Sequence, residues 1–126
     1  MTVVDLAVQW IDALNRQDVD LLLRLSDPQI EIVGPRGSVR GHDILRDWLS
    51  RAGATFTTSR VFARDDIVVF EQEGRWLNAE TNDQASFAKV ASVLRVSEGK
   101  VGSYARFDTL EAALTHAGLS IADRVA

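Results

Sequence analysis

The sequence contains no cysteine and only two histidines, His42 and His116, which lie far apart in the chain. Without cysteine there can be no disulfide, no thiolate nucleophile and no cysteine-bound metal. Zinc and non-haem iron sites usually need several imidazoles or thiolates, so we expect no metal and no other cofactor.

Long apolar runs and an excess of positive charge are also missing. No stretch approaches the roughly 20 apolar residues that cross a membrane. Residues 1–15 carry Asp5 and Asp12 and lack the basic start of a signal peptide. The net charge is −4 and the arginines are scattered, which argues against nucleic acid and anionic membranes as partners. The sequence therefore predicts a cytoplasmic protein.

The residues that are present have the composition of one folded domain. The chain has 126 residues, of which 46% are hydrophobic and 25% charged, which is ordinary for a globular protein. We expect residues 1–126 to form a single domain, with a loosely held tail at 119–126.

The first half of the chain has mainly helical patterns. Apolar residues recur at spacings of three and four from Val3 to Leu14, which predicts an amphipathic helix. Asp18 is a suitable N-cap for a second, short helix that ends before Pro28. The elements predicted next are short strands at 30–33 and 38–40 and a third helix, HDILRDWLSRA, ending at Gly53.

The second half changes to the alternating pattern of strands. Four long strands are predicted at 55–63, 67–76, 86–96 and 101–107. They are followed by a helix that Asp108 would cap and Gly118 would end. This order predicts an α+β fold: a cone-shaped roll with three N-terminal helices on a curved, mostly antiparallel sheet and a short C-terminal helix.

Four segments carry a family resemblance: WIDALNRQDVDLLLRL, DPQIEIVGP, VRGHDILRDWL and VLRVSEGKVGSYARFD. Together they resemble the cone-shaped roll of nuclear transport factor two-like proteins, ketosteroid isomerases and SnoaL-like polyketide cyclases. The resemblance covers about residues 4–112. It implies a fold and an internal cavity, and it leaves the activity open, because this fold hosts many functions.

The resemblance also argues against the isomerase reaction. That chemistry uses an aspartate base and an oxyanion hole formed by a tyrosine and a protonated aspartate. The matching positions here are Trp10 for the tyrosine, Ile32 for the base and Ala91 for the second aspartate. Isoleucine and alanine transfer no protons, so an enzyme with isomerase- or lyase-like acid–base chemistry would need other residues.

Strand parity and the resemblance together predict a ligand pocket. Its expected lining is Trp10, Ile32, Trp48, Phe56, Phe70, Gln72, Phe87, Ala91 and Tyr104. The aromatic members would equally serve to fill the core.

The candidates for catalysis are Tyr104, Arg106 and Lys89. Tyr104 and Arg106 share one face of the last strand, and Ala105 and Phe107 share the other. Hydrophobicity favours Ala105 and Phe107 as the inward pair, whereas the resemblance favours Tyr104, which we follow.

An inward Tyr104 would donate a hydrogen bond to a ligand carbonyl, and Arg106 would hold a carboxylate. If it lies inward with Phe87 and Ala91, Lys89 would be a base or amine nucleophile; otherwise it would reach the cavity mouth.

Other charged residues have structural alternatives. His42 is either a general acid–base group or an exposed residue at a helix start, and His116 is assigned no function. Glu71 and Glu73 are expected on the outer sheet face with apolar neighbours, which suits a homodimer interface.

Three functions remain as hypotheses. The first is a protein that binds a small apolar or aromatic molecule in an internal cavity. The second is an isomerase, cyclase or dehydratase that uses polar cavity residues. The third is a non-catalytic dimerisation module with a filled cavity. The second requires an ionisable group in the cavity, close to the reacting proton.

Overall fold

A computed structural model describes residues 2–34, 37–52, 54–77 and 85–126, excluding the side chains of 34, 50–52, 76–77 and 85–86. The predicted helix end at Gly53 lies outside the described residues. The elements are α1 (Val3–Asn15), α2 (Val19–Arg24), β1 (Ser26–Gly34), β2 (Gly37–Arg40), α3 (His42–Ala52), β3 (Ala54–Arg64), β4 (Ile67–Leu77), β5 (Ala85–Ser97), β6 (Lys100–Phe107), α4 (Leu110–Ala117) and a short 3₁₀ turn (Ile121–Asp123).

The strands form one sheet in the order β2-β1-β6-β5-β4-β3. The neighbouring pairs are antiparallel except β1 and β6, which run parallel. The N-terminal helices are placed as predicted: Asp18 accepts a hydrogen bond from the backbone N–H of Leu21, which caps α2. The α+β roll and its mostly antiparallel sheet are confirmed.

The sheet is buried on both faces along part of its length. The inner face, covered by α1, α2 and α3, holds the larger core, which includes Trp10, Phe56, Phe70 and Tyr104. The outer face is covered by α4 over a second, smaller core. The buried residues of that second core are Phe62, Ile67, Val69, Ala91, Val93, Ala105, Ala113, Leu114 and Leu119.

A tight turn and a β-bulge set the strand register of the last hairpin, formed by β5 and β6. Glu98 and Gly99 both have positive φ, 52° and 78°, as a two-residue hairpin turn requires. Arg95 pairs with Ser103 and Val96 pairs with Val101. Gly102 is therefore an extra residue in β6, which is a β-bulge. The bulge puts Tyr104 opposite Leu94, on the inner face.

The C-terminal segment differs from the sequence prediction in two ways. Thr109, not Asp108, caps α4, because the Thr109 hydroxyl accepts the Ala112 N–H at 3.1 Å. The tail beyond 118 is docked rather than loose. Leu119 is buried, and the backbone N–H of Val125 donates to the Val61 carbonyl of the edge strand β3 at 2.8 Å.

Candidate functional site

Tyr104 is at the centre of an aromatic cluster inside the cone. Its side chain is almost fully buried, with 2% of the residue surface exposed. The ring stacks on Trp10 of α1, with centroids 4.8 Å apart and planes at 30°. Trp48 of α3 lies tilted against it at 5.6 Å and is only half-buried, so it forms the solvent side of the cluster.

A serine anchors this cluster to the helices. The Trp10 indole N–H donates to the Ser26 hydroxyl at 2.9 Å, and that hydroxyl donates to the Leu22 carbonyl at 2.7 Å. The half-buried His42 ring contacts the Ser26 carbonyl through Nε2 at 3.1 Å. Since a carbonyl only accepts, His42 carries the hydrogen on Nε2, which gives this side chain a structural role at the start of α3.

A row of hydrogen-bonded polar side chains crosses the inner face of four adjacent strands. Tyr104 Oη lies 3.2 Å from Ser92 Oγ, and Ser92 Oγ donates to Gln72 Oε1 at 2.7 Å. Gln72 Nε2 then donates to Thr58 Oγ1 at 3.3 Å, near the exposed edge of the sheet. The strand register produces the row, because Gln72 pairs with Thr58 and all four side chains point inward.

Burial keeps the Tyr104 phenol neutral. Desolvation raises the pKa of Tyr104 above its ordinary value, against smaller lowering effects of the Ser92 hydrogen bond and the Arg106 charge. The phenol is therefore a hydrogen-bonding group over the whole neutral range, and no phenolate forms there.

Most of the predicted pocket residues come together on the inner face. Trp10, Ile32, Phe56, Phe70, Gln72 and Tyr104 are buried there, with the half-buried Trp48 beside them.

The prediction that Phe87 and Ala91 line the pocket is wrong, because both residues lie on the outer face. Phe87 is 63% exposed, and Ala91 is buried in the second core, below α4. Both pair across the sheet with outer-face residues, Arg75 and Glu71.

Tyr104 and Arg106 share the inner side of β6, as predicted, whereas the third catalytic candidate, Lys89, lies on the opposite face of the sheet. Lys89 is exposed on the outer face, opposite Glu73, which overturns its predicted inward orientation. Arg106 follows Tyr104 on the inner side of β6, but its side chain is exposed. His116, near the end of α4, packs its ring on Phe107, with ring centroids 4.9 Å apart.

In the described part of the chain, the Tyr104 phenol is the only ionisable group in the interior. Its buried polar side chains are Ser26, Gln72 and Ser92, together with the Tyr104 hydroxyl, and none of the described carboxylates or imidazoles is buried. Among these residues no cluster of three or more His, Asp or Glu could hold a metal ion. None of the described helices is long and apolar enough to cross a membrane.

The outer face carries a polar groove of about 520 Å³ beside the second core. Its lining includes Thr57, Ser59, Arg60, Glu71, Glu73 and Lys89. Arg60 Nε and Nη2 each contact the Glu71 carboxylate at 2.7 Å, and Ser59 Oγ donates to it at 2.9 Å. The Arg60 hydrogen bonds lower the pKa of Glu71 from its ordinary 4.5 to about 2.

Sequence reasoning missed Ser26, Thr58 and Ser92. Ser92 lies in a run of valine, alanine and leucine, where a single serine indicates a polar contact in the core. Thr58 could not be recognised, because its partner depends on the pairing of β3 with β4 and on the bulge between Thr58 and Arg60.

The family comparison agrees with this architecture. The family of SnoaL-like domains matches residues 7–104, a range that includes the N-terminal helices and extends into β6 as far as Tyr104. The chain belongs to the SnoaL-like family. The chain has no match among curated proteins.

Solved structures with the same fold include proteins crystallised with small molecules. TerC with polyporic acid is 14% identical, with a TM-score of 0.75 over 87% of this chain and 93% of that chain. A protein with a ketosteroid isomerase-like fold from Catenulispora acidiphila, in complex with trimethylamine, is 17% identical, with a TM-score of 0.72 over 91% and 93%. A proposed polyketide cyclase from Xanthomonas campestris is 18% identical, with a TM-score of 0.74 over 87% and 92%.

At these identities the similarity concerns the fold alone. The SnoaL-like domain of this chain thus shares the α+β architecture of those proteins, and its chemistry has to be argued from its own side chains.

Proposed function

We propose that this SnoaL-like domain binds a small apolar or aromatic molecule against the inner face of its sheet and does not catalyse a reaction. The observation that carries the proposal is the polar row Thr58, Gln72, Ser92 and Tyr104, which runs from the exposed sheet edge into a mainly apolar interior and ends beside the rings of Trp10 and Trp48. A few polar groups in an aromatic surrounding are typical of small-molecule sites.

A purely structural role accounts less well for the row. A buried hydrogen-bonded pair contributes little net stability, and apolar groups of the same shape would be about as stabilising. A hydrogen-bonded row that crosses four strands therefore favours recognition of a polar group on a ligand. The half-buried Trp48 marks the side from which the ligand would reach Tyr104.

Two of the similar structures hold small molecules, polyporic acid in TerC and trimethylamine in the Catenulispora protein. They support small-molecule binding as a use of this fold. Catalysis of the kind expected of a polyketide cyclase needs an ionisable group in contact with the ligand. The exposed positions of Lys89 and Arg106, and the absence of a buried described carboxylate, favour binding over the enzyme hypothesis.

A thermal-shift screen with aromatic acids, phenols and ketones tests the proposal. A ligand that binds the native state raises the midpoint by an amount that depends on its concentration relative to the Kd. The critical variant combines Gln72→Leu, Ser92→Ala and Tyr104→Phe. We expect it to be as stable as the wild type, within about 1 kcal/mol, and to lose the ligand response.

Lys89→Ala is the matched control, because Lys89 is exposed on the outer face. It should keep the full ligand response. A triple variant that still responds to the same ligands as the wild type would contradict binding at the polar row.

We also propose a homodimer formed through the part of the outer face that α4 leaves uncovered. Phe87 is exposed there, and Glu73 and Lys89 provide charges of both signs, so two copies related by a two-fold axis could pair their own patches. Light scattering after size exclusion should give twice the monomer mass, and Phe87→Glu should shift it to the monomer. A monomeric wild type at high concentration would refute this. We also propose a cytoplasmic location, as expected from the sequence.

A further inference from the structure

With the Gln72 amide as the structure orients it, the hydrogen-bonded row has one direction. Ser92 has a single hydroxyl hydrogen, which it donates to Gln72 Oε1 at 2.7 Å, because an amide oxygen can only accept. At the 3.2 Å contact between Ser92 Oγ and Tyr104 Oη, Ser92 must therefore accept. Tyr104 is the donor, and its hydrogen points away from the aromatic cluster, toward Ser92.

Thr58 contacts the Gln72 amide at the other end of the row. Gln72 Nε2 donates to Thr58 Oγ1 at 3.3 Å, so Oε1 faces Ser92. Because an amide nitrogen cannot accept a hydrogen bond, this orientation transmits the direction to the phenol two strands away. The neutral Tyr104 phenol keeps its hydrogen, which it donates to Ser92. The lone pairs of its oxygen remain able to accept a hydrogen bond.

We propose that Tyr104 is a hydrogen-bond acceptor toward the ligand, so that the interior selects aromatic molecules with a hydroxyl or N–H group, such as phenols and enols. This inference rests on the proposed function. It reverses the role expected from the sequence, in which the Tyr104 hydroxyl donates to a ligand carbonyl. An aryl ketone or ether offers only acceptors and meets an oxygen that has no free hydrogen.

The ring surroundings define the rest of the ligand. Trp10 covers the Tyr104 ring at 4.8 Å and Trp48 is tilted against it at 5.6 Å. A flat aromatic body matches these rings, since aromatic pairs favour offset-stacked and tilted contacts at such distances.

Four probes with one scaffold test the acceptor role: naphthalene, 2-naphthol, 2-methoxynaphthalene and 2-naphthaldehyde. Titration calorimetry with the full chain measures the Kd of each. We expect 2-naphthol to bind about 3- to 10-fold more tightly than the ether and the aldehyde, the usual range for one net hydrogen bond. Tyr104→Phe should remove this preference and bring the naphthol close to naphthalene.

Two further variants test the direction of the row. Ser92→Ala removes the acceptor that holds the Tyr104 hydrogen, so the phenol can donate to a ligand carbonyl. The affinity for 2-naphthaldehyde should then rise until 2-naphthaldehyde and 2-naphthol bind about equally, within about 2-fold. Ser92→Thr keeps the hydroxyl and should keep the naphthol preference. If Ser92→Ala does not fold, Gln72→Met provides the same test, because it frees the Ser92 hydrogen.

The outcomes separate the two proposals. Binding of all four probes without preference, or with a preference for the aldehyde, overturns the acceptor role and leaves the proposed function standing. Silence of all four probes overturns both. A naphthol preference that persists in Tyr104→Phe also overturns the acceptor role, since another residue must then read the hydroxyl.

Discussion

At the scale of single residues, one serine side chain and one backbone carbonyl explain how an indole is held in the core. The Trp10 N–H is buried and needs an acceptor, which Ser26 provides at 2.9 Å while donating to the Leu22 carbonyl. Ser26 lies at the beginning of β1, so the hydrogen bond joins α1 to the sheet.

We predict that Trp10→Phe lowers the free energy of unfolding by about 1–3 kcal/mol, because it removes packing volume and leaves the Ser26 oxygen without its donor. Urea denaturation measures the change. Trp48→Phe is the comparison, since Trp48 is half-buried, and it should cost less. Equal costs would contradict the role given to Ser26.

Glu71 is the residue for which the structure predicts a pH dependence. Its pKa in the folded protein is lowered to about 2, from an ordinary 4.5, chiefly by the hydrogen bonds from Arg60. A lowered carboxyl pKa contributes stability that is fully present above the unfolded pKa and is lost as the pH falls through the folded value.

We therefore predict that the stability difference between wild type and Glu71→Gln is greatest above about pH 5 and disappears progressively toward pH 2. Denaturation midpoints measured from pH 2 to 7 test this. In an Arg60→Met background the same Glu71→Gln change should lose most of its pH dependence. A difference that grows as the solution is acidified would refute the assignment.

At the scale of elements, the edge strand β3 is closed by groups from outside the sheet. The Asn15 amide of α1 accepts from the Phe56 N–H and donates to the Phe56 carbonyl, both at 2.8 Å, as a neighbouring strand would. Farther along, the C-terminal segment pairs with Val61 through backbone hydrogen bonds. Exposed edges promote association between chains, so both contacts protect the monomer surface.

We predict that Asn15→Ala lowers stability by about 1–3 kcal/mol and speeds hydrogen exchange of the Phe56 amide, because that amide loses its acceptor in a half-buried site. Exchange monitored by NMR reports the amide directly. Asn15→Asp keeps an acceptor and should retain most of the protection. Unchanged exchange in Asn15→Ala would show that the amide is protected by other groups.

At the scale of the whole molecule, the central strands are buried on both faces only where α4 covers them. Lys89 and Ala91 point to the same side of β5, yet Lys89 is exposed and Ala91 is fully buried in the second core. The outer face of β5 thus changes from exposed to buried within two residues, at the edge of the area that α4 covers.

We predict that Ala91→Asp destabilises the fold by about 3 kcal/mol or more, since it buries a charge without a partner. Lys89→Ala should stay within about 0.5 kcal/mol of the wild type. Thermal unfolding compares the two. Similar effects of both changes would contradict the placement of α4 on the outer face.

The helices, the strands and their order could be predicted from the sequence, because hydrophobic periodicity and capping residues are local signals. The inner face of β4 with Phe70 and Gln72 followed from the same alternation. The faces of β5 could not be predicted, since alternation carries no information where both faces are buried.

The bulge at Gly102 explains why Ala91 lies on the outer face of β5 and not on the inner face, as the sequence analysis expected. Counted back from the Ser97–Lys100 turn without a bulge, Tyr104 would pair with Val93, and Ala91 would then share its face. The extra residue moves the partner to Leu94, so Ser92 replaces Ala91 on the inner side.

The sequence by itself determined the family and the layered α+β architecture, because these depend on patterns within each element. Only the tertiary structure decided which side chains meet inside the cone. The row from Tyr104 through Ser92 and Gln72 to Thr58 depends on the register of four strands. Register is set by turns and bulges that act over the whole sheet, and a shift by one residue would move each of these groups to the opposite face.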